Sequence, residues 1–295
     1  MKLEYIKKNN DNYTYLRQVL KEQFALSSRL ILKLKKAQKI LVNNEFTYLD
    51  RILNENDKIS IIIDFKEDNS NILPTKKDLN ILYEDEYLLV VDKPAGMPVH
   101  PSMEHYEDSL CNIVKYYFDV NNIHKKIRPV NRLDRNTSGI VIFAKNEYIQ
   151  ECLISQMSNN KFKKEYIAIC AGNFNKKHEC IDAPISRKPN SIIERCISKN
   201  GDKAITIYHV VEQYKNFAKL KIELLTGRTH QIRVHMAYIG HPIIGDDLYG
   251  TKSDLISRQA LHAYHISFIH PITKNEISIN SQIPEDMQKL LLFMQ

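Results

Sequence analysis

Several common signatures of chemistry are missing from this chain of 295 residues. Cysteine is sparse and unpatterned. Cys111, Cys152, Cys170, Cys180 and Cys196 are scattered and odd in number, and no CxxC pair occurs. That argues against a disulfide framework or a thiolate zinc site and fits free thiols in a reducing compartment. No HExxH is present. His230 and His235 flank Gln-Ile-Arg-Val at a spacing of five, which does not set two imidazoles on one helix face. No metal is expected. Neither GxGxxG nor GxxxxGKS appears, so a dinucleotide or P-loop site has no support. No apolar run approaches the roughly 18–20 residues that span a bilayer. The opening MKLEYIKKNNDNYTYL lacks the apolar core of a secretory signal. The expected location is the cytoplasm, with no membrane partner. Internal repeats and low-complexity tracts are also absent.

What is present is an ordinary soluble composition, 43% hydrophobic and 26% charged, with length enough for one large domain and a small one. The net charge is +7 and the pI about 8.9, a moderate excess that favours polyanionic partners through phosphate attraction and counterion release. The abundance of Lys, Asn and Ile suggests an AT-rich genome, which supplies some lysines without functional cause. The placement of charge is therefore more telling than its sum. Between Lys21 and Lys39 lie six basic side chains and one acid, Glu22. This is either a solvated lysine face or a phosphate-tracking surface.

Residues 12–63 read as a compact module. Tyr15, Leu16, Val19 and Leu20 recur at helical spacing. Ser27 or Ser28 is positioned to cap a second, basic helix carrying Leu30, Ile31 and Leu34 on one face and Arg29, Lys33 and Lys36 on another. KILVNNEFTYL reads as a strand, a turn at Asn43–Asn44 and a strand, and KISIIID as a closing β-run. The stretch 64–79 is polar, proline-punctuated and non-periodic, like a linker. These features divide the chain into a small N-terminal domain at 1–72, a linker at 73–80 and a larger domain at 81–295. In the latter, strand-like YLLVVD, GIVIFAK, EYIAICA, ITIYHVV and AKLKIELL mix with helical DSLCNIVKYYF and QECLISQM. That order favours an α+β fold with a central mixed, mainly antiparallel β-sheet flanked by helices and loops, plus a small α/β N-terminal domain.

Three segments of the larger domain are candidates for chemistry. RLDRNTSG, Arg132 to Gly139, sets a carboxylate in a polar turn between two arginines before a buried strand; by itself this is equally a turn Asp held by salt bridges. LTGRTHQIRVHMAYIGHPIIGDDLYG packs Arg228, His230, Arg233, His235 and His241 among glycines that permit close backbone approach. Its histidines, taken singly, read as structural hydrogen-bonding residues. DKPAGMPVHPS is a rigid loop directly after a strand; it serves a site or turns a corner.

Together the segments KPAGMPVHPS, RLDRNTSGIVIFAKN, KKEYIAIC, GDKAITIY, TGRTHQIRVHMAYIGHPIIGDDLYG and LHAYHISFIHP, in this order over roughly 81–271, resemble the RluA family of pseudouridine synthases, and its RluD-like members in particular. The helix, SR-containing turn, basic helix and hairpin of the N-terminal module resemble the S4 RNA-binding module. Two features depart from its pattern: no glycine precedes the first strand, and Asn44 stands where the hairpin usually has Gly. Asn131 departs from the His that many RluA members carry before RLD.

The resemblance implies an isomerase that breaks the C1′–N1 bond of a uridine in RNA, rotates the uracil and rejoins it through C5. Asp134 matches the family aspartate. It would attack covalently or take a proton from C2′, and the sequence does not choose between the two. Arg233 matches the arginine that pairs with it, and Tyr166 the tyrosine that stacks on the uracil and acts at C5. Arg132 matches the arginine that fills the gap left by a flipped nucleotide. Lys164 and Arg228 match phosphate or loop-positioning contacts, while Arg29, Lys33 and Lys36 would track RNA from the N-terminal module. No cofactor is implied, because the reaction is a redox-neutral isomerisation. The expected partner is RNA, with large-subunit ribosomal RNA the first choice of target and transfer RNA the alternative, and the chain is expected to be a monomer. A non-catalytic RNA-binding paralogue would need to lack the Asp134, Tyr166 and Arg233 set. A glycosidase would need a second positioned carboxylate, for which Asp246 and Asp247 are the nearest candidates, although the family pattern assigns them to a structural loop.

Overall fold

A computed structural model describes every residue except Lys66, Asp68, Thr251, Met294 and Gln295. The N-terminal module is a four-stranded antiparallel sheet backed by helices. Strand β1 (Lys2–Ile6) precedes a short helix α1 (Leu16–Gln18), which runs on through a π-turn at Val19–Gln23. Helix α2 (Ser28–Lys36) starts at Ser27, whose Oγ accepts the Leu30 N–H at 3.1 Å. Strands β2 (Ile40–Val42), β3 (Glu45–Phe46) and β4 (Lys58–Ile62) complete a sheet of order β1-β4-β2-β3. The β2–β3 turn is Asn43–Asn44, both at positive φ (53° and 68°), a conformation that asparagine tolerates without glycine. Leu16, Leu20, Leu30 and Leu34 pack on Ile40, Ile59 and Ile61. The pairing of β1 with β4 was not legible in the charged N-terminal stretch.

The remaining strands are β5 (Ile81–Glu84), β6 (Leu88–Lys93), β7 (Ser138–Ala144), β8 (Lys163–Ala171), β9 (His178–Asp182), the hairpin pair β10 (Ile185–Arg187) and β11 (Arg195–Ile197), β12 (Ile205–Gln213), β13 (Phe217–Leu224), β14 (Leu261–Ile269) and β15 (Glu276–Asn280). Nine of them form one sheet of order β5-β6-β7-β14-β8-β13-β12-β9, with β15 on β14, and its one parallel pair is β7 with β14. The fold is thus α+β with a mixed, mainly antiparallel sheet, as expected. The helices are α3 (Leu110–Val120), α4 (Glu147–Ser158), α5 (Gln231–Tyr238) and α6 (Glu285–Phe293). Strands β6 and β7 read as continuous apolar runs because both faces are covered. Leu89, Val91, Val141 and Phe143 pack with α3, and Leu88, Val90, Ile140 and Ile142 pack with α4. No helix of the described residues is long and apolar enough to cross a membrane.

The polar stretch between the two units is held to the larger one at Glu67, Asn69 and Leu73. Asn69 bonds Ile127 N (2.9 Å) and Lys125 O (2.7 Å), Glu67 pairs with Arg128, and the Leu73 carbonyl accepts from Asn112 at 2.8 Å. Its polar groups find partners on the large unit, so lack of periodicity did not mean lack of contacts. The Lys66 and Asp68 of the proposed linker lie outside the described residues. Lys33, partly exposed, reaches across to the larger unit. Its Nζ lies 2.6 Å from Glu147 on α4 and 3.9 Å from the Phe65 ring centre, and Ser27 Oγ donates to Glu151 at 2.6 Å. This side of α2 is a docking contact, and the apolar cluster of the module continues into the one beneath α4.

Gly139 lies where β7 meets β14. Its φ is +116°, and a Cβ there would fall 2.2 Å from the Ala263 carbonyl oxygen. Gly96 also has positive φ, but its Cβ would meet nothing within 4 Å. Gly139→Ala should therefore cost more than about 4 kcal/mol, against about 1 kcal/mol for Gly96→Ala. Urea unfolding of the two variants checks this, and equal costs would contradict the register drawn here.

Candidate active site

The turn Asp134–Thr137 precedes β7, and each of its first three carbonyls is claimed. Asp134 O accepts from Thr137 N at 3.1 Å, Arg135 O from Lys93 Nζ at 3.0 Å, and Asn136 O from Arg258 Nη1 at 3.2 Å. Lys93 is fully buried and also donates to Pro94 O and Met97 O, both at 2.8 Å. Burial, helped by the nearby Arg258 charge, brings its pKa down to about 7. The KPAGMP loop thus serves the site by clamping the aspartate turn. Before the turn, Asn131 bonds Ile140 O and Ile142 N, both at 2.9 Å, and so stitches the chain to β7. Its role is structural, and the amide is suited to it because it both donates and accepts.

Opposite the turn stands α5. Gln231 fixes its start: its Oε1 accepts from Arg228 N (2.9 Å) and Thr226 Oγ1 (2.8 Å), and its Nε2 donates to Ile205 O (3.0 Å). Two residues on, Arg233 points its fork at Asp246, with Nε to Oδ2 at 2.7 Å and Nη2 to Oδ1 at 2.8 Å. The remaining nitrogen, Nη1, reaches Asp134 Oδ2 at 3.4 Å. Asp246 is fully buried, and its Oδ1 also accepts from Leu248 N and Tyr249 N at 3.1 Å. Its two flanking acids hold the guanidinium charged despite burial and push the Arg233 pKa above its ordinary value. Tyr166 lies on β8 in register with Ala263, which is itself in register with Gly139, so the tyrosine and the aspartate turn flank one point on β14. Burial raises the phenol above its ordinary pKa, and the Asp134 charge adds to the effect.

The expected site residues therefore converge only in part. Asp134, Tyr166 and Arg233 come together. Arg132 is exposed and makes no hydrogen bond or ion pair with any described residue. Lys164 Nζ lies against the Gly227 turn, where an added Cβ would sit 3.5 Å away, and burial lowers its pKa. Arg228 donates from Nε to Lys203 O at 3.0 Å and lies 3.7 Å from Asp202. Arg29 and Lys36 are exposed on α2, away from this cluster, and Lys33 is taken by Glu147. His235 and His241 are structural, as read: His235 bonds Thr206 Oγ1 and Ala183 O, both at 2.9 Å, and His241 bonds Ala171 O at 2.9 Å. Asp246 has the structural-loop role that the family pattern implies. It is not a second acid at a reacting centre but the anchor of Arg233. Two adjacent acids in an otherwise apolar, glycine-flanked IIGDDLYG were the available signal.

A model of the RNA pseudouridylate synthase family matches residues 87–238, which hold Asp134, Tyr166 and Arg233. The RNA pseudouridine synthase YjbO of Bacillus subtilis is 37% identical over 270 residues, covering 91% of this chain and 95% of that one. The chain belongs to this family. It is an isomerase that acts on RNA. A second relative in the same organism, the RNA pseudouridine synthase YhcT, is 36% identical over 98% of this chain and 96% of its own length. The ribosomal large subunit pseudouridine synthase D of Blochmanniella floridana is 34% identical, with 87% of each chain covered. Among solved structures, human RNA pseudouridylate synthase domain containing 1 superposes with a TM-score of 0.58 at 23% identity, covering 76% of this chain and 97% of that one, which supports the fold.

The geometry gives the synthase a sharp mutational signature. Arg233→Lys keeps a charge but cannot hold Asp246 with two prongs while reaching Asp134 with a third nitrogen, so turnover should fall at least about 100-fold. Asp246→Asn should cost about 3 kcal/mol of stability, because a buried guanidinium loses its counter-ion. Single-turnover kinetics and denaturant unfolding check the pair. Near-native turnover in Arg233→Lys would show that the fork geometry is irrelevant.

Proposed function

We propose that Asp134 is the reacting carboxylate, that Arg233 and Tyr166 complete the catalytic set, and that the target uridine lies in large-subunit ribosomal RNA. The observation that carries this is the unshared reach of Arg233 Nη1 toward Asp134, with the other two nitrogens committed to Asp246. A cation fixed in this way favours an ionised, directed carboxylate. From that state the carboxylate attacks the nucleoside or takes the C2′ proton. The C1′–N1 bond breaks, the uracil turns, and the C5–C1′ bond forms. The C5 proton is lost and N1 gains one, so the reaction balances without oxidant or reductant. Tyr166, buried on β8 beside the aspartate turn, is read as the residue that meets the uracil. With its pKa raised by burial, its hydroxyl stays protonated at neutral pH before the uridine arrives.

Arg132, exposed and unpartnered among the described residues, is available to fill the stack when the uridine flips. The nearness of Lys164 Nζ to Gly227 and the bond of Arg228 to Lys203 O are compatible with loop positioning by both. Residues 1–72 are read as an S4-like RNA-binding domain, whose free basic face is Arg29 and Lys36. The synthase is read as a monomer. The ribosomal target rests on the relatives named ribosomal large subunit pseudouridine synthase D.

In a strain lacking the gene, carbodiimide-dependent primer extension should show at least one pseudouridine missing from large-subunit RNA and restored by the wild-type gene. A loss confined to transfer RNA would overturn the target. For the N-terminal face, the double variant Arg29→Ala/Lys36→Ala should reduce the slope of log K against log salt by about 1.5. Lys33→Ala should leave the slope unchanged, because its ammonium is already paired. Equal slopes in all three proteins would show that α2 does not meet phosphate.

A further inference from the structure

His230 precedes α5 in the left-handed region, at φ 58° and ψ 17°, an unusual backbone for histidine. That conformation brings the ring between two partners. Its Nδ1 lies 2.8 Å from the Tyr249 hydroxyl, and its Nε2 lies 4.0 Å from Asp134 Oδ1, the carboxylate oxygen that Arg233 does not approach. Tyr249 is fixed in turn. Its hydroxyl oxygen accepts the backbone N–H of Arg195 at 2.7 Å, and its ring lies 5.1 Å from the Arg233 guanidinium carbon.

These contacts select a tautomer. The Tyr249 hydroxyl has one proton, and its oxygen already accepts from Arg195. Among the described residues Nδ1 is the one acceptor within its reach, so the hydroxyl donates to Nδ1. The ring proton then belongs to Nε2. The alternative would set the lone pair of Nε2 against a carboxylate. Burial, which lowers the His230 pKa, agrees with a neutral ring.

We infer that His230 is a positioning residue of the isomerisation: a neutral imidazole, held as its Nε2–H tautomer by Tyr249 and the Arg195 backbone, that steadies the second oxygen of Asp134 while Arg233 steadies the first. A separation of 4.0 Å is closed by a small side-chain rotation or one bridging water, and hydrogen bonds of this kind tighten when substrate is bound. Because Arg195 begins β11, the chain of contacts also ties the β10–β11 hairpin to the aspartate. This inference rests on Asp134 being the reacting carboxylate.

Two substitutions separate positioning from anchoring. His230→Gln keeps an N–H near the place of Nε2 and loses the acceptor at Nδ1. His230→Asn keeps a polar group near Nδ1 and loses the donor at Nε2, although asparagine suits the left-handed backbone better. If the side chain only anchors Tyr249, Asn is the better replacement. If it positions Asp134, Gln is. The expected result, at saturating RNA, is a kcat at least tenfold higher for His230→Gln than for His230→Asn, with KM for both near wild type. A ratio near one, or in favour of Asn, overturns the inference. Melting temperatures confirm that both variants are folded at the assay temperature. Should His230→Gln fail to fold, Tyr249→Phe replaces it: its kcat should fall several-fold in the wild-type background and not at all further in His230→Asn, and equal effects in both backgrounds overturn the inference. Asp134→Asn runs alongside. Turnover retained in that variant would sink the reading of the site itself, whereas an inactive Asp134→Asn with a failed Gln-to-Asn ratio would sink only the role of His230.

Discussion

The bidentate pair between Arg233 and Asp246 is the constraint on which the site depends. It is buried, and the Asp246 carboxylate is saturated by the two prongs of the guanidinium and by the backbone N–H groups of Leu248 and Tyr249. A pair so enclosed contributes little net stability against an apolar replacement, but losing one partner strands a charge, a loss of about 3–5 kcal/mol. Its value is therefore directional. With two nitrogens committed, the third has one orientation left, and that orientation meets Asp134. Tyr249 both packs near the arginine and bonds His230, so one loop, Gly245 to Gly250, contacts both groups beside Asp134.

The opposite side is ordered by charged side chains that grip backbone carbonyls and by strand register. Lys93 and Arg258 hold the carbonyls of the aspartate turn from behind, and the register of Gly139 with Ala263 and of Ala263 with Tyr166 fixes the spacing across three strands. The close approach at Gly139 leaves no room for a side chain. The carboxylate thus rides on a turn whose carbonyls are satisfied, while its own side chain stays about a quarter exposed.

Much of this was legible in the chain. The apolar runs of β6 and β7, the alternation along β13 and the Asn43–Asn44 turn carry their own periodic or conformational signals, and the motifs around Asp134, Tyr166 and Arg233 name the residues that converge. Three things were not legible. The pairing of β1 with β4 joins residues about 60 apart, in a stretch whose charges mask its alternation. The packing of 67–80 depends on partners such as Arg128 and Asn112 that lie far along the chain. The pairing of Lys33 depends on Glu147, and a basic face cannot reveal which of its members meets an acid from elsewhere. The same holds for Asp246, whose importance lies in the arginine it grips rather than in its own motif.

The central claim is that one carboxylate, oriented by one arginine, carries the isomerisation. Release of tritium from RNA labelled at C5 of uridine tests it most directly, since that proton is lost only when the base is rejoined through carbon. The account predicts stoichiometric release by the wild-type protein and none above background for Asp134→Asn, with both proteins folded and binding the RNA equally. Release by Asp134→Asn at more than a few per cent of the wild-type rate would contradict it.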